Sequence, residues 1–169
     1  MCGIAGVQSS DQKSVPTVPR ISSMSKMLAH RGPDSQGEWS DTSRGVGFAH
    51  RRLSIVDLSP HGSQPMQSAS KRFVPVYNGE IYNHHQLRAE LASSGEKIPW
   101  RGNSASETLV ECISAWALEK TLQAIVGMFA FAVWDVQREK LSLARDRMGE
   151  KPLYYGVPTG ILQADGSGG

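Results

Sequence analysis

The sequence predicts an α+β fold built on antiparallel sheets, and three features carry that expectation. Stretches with strand character outnumber the three helical ones, and the two kinds do not alternate strictly as a wound parallel sheet requires. The run GMFAFAVWD is apolar on both of its faces, the pattern of a strand covered on both sides. Within FVPVYNGEIYN, Asn78-Gly79 predicts a strand, a tight turn and a second strand, because Asn-Gly suits the positive φ of a hairpin.

Each element follows from local chemistry. The apolar start from Ile4 to Val7 reads as a strand, and the polar, Pro-containing residues 8–18 read as a loop. In PRISSMSKMLAH, Ile21, Met24, Met27 and Leu28 fall at helical spacing on one face. Gly32, Pro33 and Gly37 in HRGPDSQGEW break that helix. Val46, Phe48, Leu53, Ile55 and Val56 give GVGFAHRRLSIVD a β pattern, followed by a polar loop from Leu58 to about Arg72. Asn83 and Gln86 are spaced as a capping box for the helix HHQLRAEL, and Ser104 and Glu107 as a second one. The helix after Ser104 is expected to bury Leu109, Cys112 or Ile113, and Trp116, with Cys112 as a small core hydrophobe. A turn at Gln137 to Glu139 leads into the strand KLSLARD, KPLYYG supplies another strand, and GVPTGILQADGSGG reads as a frayed or linker-like tail.

Composition narrows the function classes. At 169 residues the chain fits one domain with a substantial core. Its net charge is +2 and its 18 Lys and Arg are scattered, which speaks against nucleic-acid or membrane partners. Cys2 and Cys112 are the only cysteines and occupy very different settings, which suits a reducing cytoplasmic location better than a disulfide framework. No apolar run approaches the ~20 residues of a membrane span, and the N-terminus lacks the regions of a signal peptide.

Cys2 acquires chemistry only if Met1 is removed, which a small residue at position two permits. The new terminus would carry a thiol and a free α-amine of unperturbed pKa about 7.7–8.0, a nucleophile and a base in one residue. Without its context, Cys2 reads more readily as an incidental thiol near a chain end.

The context supplies more. MCGIAGV, HRGPDSQG, FAHRRLSIVDLS, YNGEIYNH, GMFAFAVWD and ARDRMGEKPLYYG occur in one order over residues 1–156. In these segments the chain resembles the class II glutamine amidotransferase domain of the asparagine synthetase type. The resemblance implies a glutaminase domain over 1–156, residues 157–169 being a tail or truncated linker. The implied fold is the N-terminal-nucleophile hydrolase sandwich, four layers in the order αββα around two antiparallel sheets. The implied activity is hydrolysis of L-glutamine to glutamate and ammonia through a Cys2 thioester, with ammonia passed to a synthetase-like partner domain in cis or in trans. No cofactor is implied for this domain, since ATP and magnesium belong to the synthetase domain, whose pyrophosphate loop the sequence lacks.

Residue by residue, the resemblance makes Cys2 the nucleophile and Asn78 and Gly79 the oxyanion donors, an amide NH₂ and a backbone N–H. Arg52 matches the residue that grips the substrate α-carboxylate, a task suited to a guanidinium fork, while strand alternation turns Arg51 to the other face. Leu53, Ile55 and Glu80 match pocket-lining positions. Arg31 and Asp34 match motif positions expected to hold a turn near the site, and the Asp, Glu and Lys of ARDRMGEKPLYYG match positions expected to stabilise a hairpin or to face a partner domain.

The chain departs from the family pattern in GNSASE, where G-x-S-D-[TS]-E is usual. The aspartate that pairs with the substrate α-ammonium falls on Ala105, and Asn103, Ser104 and Glu107 are the neighbours able to replace it. Three readings follow: an active or attenuated glutaminase, a non-catalytic binding or regulatory module on the same fold, and an amidohydrolase for a substrate without a free α-amine.

Overall fold

A computed structural model describes residues 2–9, 17–53 and 62–157. Most of the expected first loop, Ile55 with the rest of 54–61, and the tail from 158 onward lie outside the described residues. The elements run β1 (Gly3–Gln8), α1 (Thr17–Met27), β2 (Ser35–Asp41), β3 (Val46–Arg52), β4 (Phe73–Ile81), α2 (His84–Ser93), α3 (Ala105–Ala124), β5 (Gly127–Asp135) and β6 (Lys140–Arg145). They form two antiparallel three-stranded sheets, ordered β1-β3-β2 and β4-β5-β6.

Strand alternation explains the layering. Val46 and Phe48 of β3 meet Val74 and Val76 of β4 and Ala132 and Trp134 of β5, so the two sheets share one apolar seam. The alternate positions of the second sheet, Tyr77, Ile81, Phe129, Phe131 and Val133, pack under Leu87 and Leu91 of α2 and Leu109 and Ile113 of α3. On the far side of the first sheet, α1 buries Ile21 against β3, and the Arg51 Nε donates to the Ser25 carbonyl at 2.9 Å. The α+β class and the αββα layering both hold. Cys112 is fully buried, and burial pushes its thiol up to about 12.

Five local readings fail. Asn78-Gly79 makes no hairpin: β4 runs unbroken, with Asn78 opposite Ala130 and Gly79 opposite Phe129. The local turn preference yields to pairing along the whole of β5, and glycine is kept at 79 because a Cβ there would collide with the Met128 carbonyl. The segment SQGEWSD is strand β2, hidden in the sequence because an edge strand can remain polar. KPLYYG forms no strand, and Tyr154 and Tyr155 are exposed. Asn83 caps nothing; its Nδ2 donates to the Ala124 carbonyl and its Oδ1 accepts from the Val126 amide, tying the start of α2 to the entry of β5. Met27, expected on the buried face of α1, is also exposed, while Ser25 takes an inward position.

Helix α3 is interrupted at Ala117, whose φ of 68° and ψ of 165° belong to a region that almost only glycine occupies. Ala117→Gly is therefore expected to stabilise the protein by about 1 kcal/mol, the relieved strain exceeding the entropy that glycine adds to the unfolded chain. Urea unfolding of the two proteins measures this, and a lower midpoint for the variant would contradict the strain.

Candidate active site

The inner rows of both sheets change character at the same end. On β3, Val46 and Phe48 give way to His50 and Arg52; on β4, Val74 and Val76 give way to Asn78 and Glu80. Gly3 pairs with Arg51, so continuing the register by one residue sets Cys2 across from Arg52. The half-buried Cys2 Sγ lies 3.9 Å from the Leu53 carbonyl oxygen. The sheets thus close over an apolar seam at one end and enclose polar and nucleophilic groups at the other.

The outer edge of β4 fixes which main-chain groups are available. Even-numbered residues of β4 bond to β5, and odd-numbered ones face the edge. Ser68 covers Phe73 with its amide, 2.9 Å from the Phe73 carbonyl, and with its hydroxyl, 3.1 Å from the Phe73 amide. The Met66 amide reaches the Pro75 carbonyl at 3.4 Å. The Gln64 carboxamide covers Tyr77 completely, its Oε1 accepting from the Tyr77 amide at 2.7 Å and its Nε2 donating to the Tyr77 carbonyl at 3.1 Å. Gly79 is next in this series. Its partner Phe129 uses both main-chain groups on Asp146, at 3.2 and 2.8 Å, which marks Gly79–Phe129 as a non-hydrogen-bonded pair. The Gly79 N–H therefore points to the open edge and has no partner among the described residues.

The start of α3 is tied to the same place. Gln64 Nε2 also donates to the Ser106 hydroxyl at 3.0 Å, which brings Ala105 beside the Tyr77–Gly79 stretch. Ser104 caps α3, its hydroxyl accepting from the Glu107 amide at 3.2 Å. Glu107 does not complete the expected box. Its buried carboxylate accepts from the amides of Arg101 and Gly102, at 2.7 and 3.1 Å, and from the guanidinium groups of Arg101 and Arg88, at 3.2 and 3.3 Å. Burial raises the Glu107 pKa, but these bonds outweigh it and hold the carboxyl below its usual range. Arg88 in turn stacks on Trp100 at 3.9 Å and donates to the carbonyls of Gly102 and Ser104. Of the three neighbours that could replace a carboxylate at position 105, Glu107 and Ser104 are thus committed, and only the exposed Asn103 retains an unengaged side chain among the described residues.

Burial shapes the electrostatics of this end. The Tyr77 hydroxyl is buried with no partner among the described residues, and burial, then the charges of Glu80 and Cys2, push its pKa up. His50 is 2% exposed, and burial, reinforced by the Arg52 charge, lowers its pKa from 6.5 to about 4 against a weaker pull from the Tyr77 carbonyl. At neutral pH both groups are uncharged.

A family model described as a glutamine amidotransferase domain matches residues 1–165. The chain belongs to that family. Asparagine synthetase [glutamine-hydrolyzing] 1 of Bacillus subtilis is 38% identical to this amidotransferase domain over 162 residues, covering 92% of the chain and 24% of the relative. Amidase chry2 of Gibberella zeae is 37% identical over 168 residues, covering 93% of the chain and 24% of the relative. The chain thus spans about a quarter of the length of these relatives. Among solved structures, a glutamine phosphoribosylpyrophosphate amidotransferase from B. subtilis superposes with a TM-score of 0.59 at 19% identity, over 86% of the chain and 36% of that structure, a likeness of fold.

Within the amidotransferase domain the remaining motif residues have structural settings. HRGPD runs along β3, with the Asp34 amide donating to the Arg52 carbonyl at 3.1 Å. The buried Asp146 accepts from the amides of Phe129, Glu150 and Lys151, so it pins the segment after β6 to the entry of β5. Gln64, Tyr77 and His50 escaped the sequence reading. His50 was detectable as the next inward position after Phe48, whereas nothing local distinguishes Gln64 within its polar loop. Among the described residues no helix is long and apolar enough to cross a membrane.

The low His50 pKa makes stability pH-dependent. The unfolded chain binds a proton near pH 6.5 that the folded chain refuses until about pH 4. This contribution is complete above 6.5 and falls away as the pH drops to about 4, by about 3 kcal/mol in total. Urea midpoints for wild type and His50→Gln across that range should diverge in slope, the variant being flatter; parallel curves would rule out a buried neutral imidazole.

Proposed function

We propose that this domain hydrolyses the side-chain amide of L-glutamine, with Cys2 as the N-terminal nucleophile once Met1 is removed. The observation that carries the reading is the unpartnered Gly79 N–H on the open edge of β4, next to Asn78 on the inner face that also holds Cys2 and Arg52. The Cys2 thiol gives its proton to its own α-amine, and Sγ attacks the amide carbon. The oxyanion is held by the Gly79 N–H and the Asn78 carboxamide. The α-ammonium then protonates the leaving nitrogen, the C–N bond breaks, and ammonia departs from a glutamyl thioester. Water, deprotonated by the same amine, releases glutamate. Arg52 grips the substrate α-carboxylate, while Leu53, Glu80 and, from outside the described residues, Ile55 line the pocket. The chemistry needs no cofactor. The ammonia passes to a synthetase-like domain in cis or in trans, in keeping with the relatives named as glutamine-hydrolysing asparagine synthetases.

Ala105 motivates a second reading, a glutaminase-fold binding or regulatory module without turnover. The commitment of Glu107 to Arg88, Arg101 and two backbone amides supports it, because no neighbouring carboxylate of α3 is free to take the substrate ammonium.

One set of measurements separates the two. On the first reading the purified protein lacks Met1 by intact mass and releases ammonia from glutamine. Cys2→Ala abolishes turnover, and Asn78→Ala lowers kcat by ~10²–10³. Ala105→Asp should raise kcat/KM by about 30-fold or more by restoring a charge-paired contact. Retained Met1 without turnover, together with an Ala105→Asp variant that binds no glutamine in calorimetry, would sink the first reading and leave the second.

A further inference from the structure

Between Phe73 and the candidate oxyanion donors, the outer edge of β4 has few restraints. Pro75 has no N–H to offer, and its carbonyl accepts one long bond, 3.4 Å from the Met66 amide. Tyr77 is the last residue held on this edge before Asn78 and Gly79, and the Gln64 carboxamide holds it at both main-chain groups, at 2.7 and 3.1 Å. A strand bonded along one side only can roll about that line of bonds, and the roll changes where its next amide and side chain point. The ladder to β5 is one such line; Gln64 adds a second on the opposite side, one residue before Asn78.

Gln64 is itself wedged in place. Its main-chain carbonyl lies so close to Gly37 of β2 that a Cβ on Gly37 would collide with it. Gly37 pairs with His50 of β3, so the wedge sits at the polar end of the first sheet. The second N–H of the Gln64 carboxamide donates to the Ser106 hydroxyl at 3.0 Å, in the first turn of α3. Both carboxamide N–H groups are therefore spent, and the residue is buried, so water does not stand in for these bonds. One side chain thus links the first sheet, the edge of the second and the start of α3.

We infer that Gln64 is a positioning residue for amide hydrolysis: by fixing the roll of β4 at Tyr77, it aims the Asn78 carboxamide and the Gly79 N–H at the oxygen that becomes negative in the transition state. The inference rests on the glutaminase reading above and adds to it a residue that acts only through β4. Donors to an oxyanion meet their full charge in the transition state, so misaiming them slows the reaction more than it weakens substrate binding. The tolerance is small, since such groups must be held within about 0.5 Å and 10–20°.

Gln64→Glu tests this with the least change of shape. The carboxylate keeps an acceptor for the Tyr77 amide but sets a second acceptor against the Tyr77 carbonyl, where a donor is required. In steady-state ammonia release from glutamine by the full chain lacking Met1, kcat should fall by about 30-fold or more, with KM changed by less than about threefold. The rate of Cys2 alkylation by iodoacetamide, followed by peptide mass, should stay that of the unsubstituted chain. Gly37→Ala, which displaces the Gln64 carbonyl from the side of β2, should give the same split. Ser106→Ala removes only the third bond and decides the matter if the other two variants fail to melt cooperatively; its kcat should fall by about threefold or more with KM again held. A raised KM with unchanged kcat, a kcat indifferent to every folded variant, or a parallel loss of kcat and Cys2 alkylation would each overturn the role. No turnover by the unsubstituted chain would remove the glutaminase reading itself, and this inference with it.

Discussion

The carboxamide of Gln64 is the interaction on which the candidate site depends. Its two ends satisfy both main-chain groups of Tyr77 on the exposed edge of β4, and its NH₂ reaches the first turn of α3 through Ser106. A planar amide that accepts at one end and donates at the other suits a buried strand edge, where an unmet backbone group costs about 1–3 kcal/mol. The same side chain thereby sets the distance between the strand carrying Asn78 and Gly79 and the helix that begins at Ala105. Loss of this clamp would free the edge and the helix start together.

Two buried carboxylates do comparable work around that frame. Glu107 gathers the loop before α3, and Asp146 gathers the segment after β6, each by accepting several main-chain amides. In both, burial alone would favour the neutral acid, and the hydrogen bonds reverse the balance. Glu107 is consequently a structural anion. A carboxylate already shared between two guanidinium groups and two amides has little capacity left for a substrate ammonium, which is why the alanine at 105 has chemical weight.

Much of this was legible in the sequence, and the failures have a common cause. A β-rich pattern located β3, an apolar run on both faces located β5, helical spacing located α1, and the spacing of Ser104 and Glu107 marked the start of α3. Arg51 was correctly turned outward by parity alone. The misreadings arose where a local signal met a tertiary one. Asn78-Gly79 is a strong turn signal, but nine residues of β4 pair with nine of β5, and that ladder prevails. Asn83 had a cap position but found better partners on another element. β2 and Gln64 left no signal, since a polar edge strand and a loop amide gain their roles only from the residues placed next to them. The site residues were named through motif resemblance; composition and periodicity alone would have left Cys2 as one thiol among two.

The open edge of β4 has a consequence for how copies of the molecule meet. An exposed strand edge usually offers a row of unpaired groups on which a strand from another chain can build. Here Ser68, Met66 and Gln64 occupy that row in turn as far as Tyr77, and the amide of Gly79 beyond them has no partner among the described residues. The Gly79 donor can hold an oxygen atom, while the covered stretch from Phe73 to Tyr77 provides no register for a second strand. Along β4 the fold thus exposes a main-chain donor while most of that edge is closed to a strand from another chain.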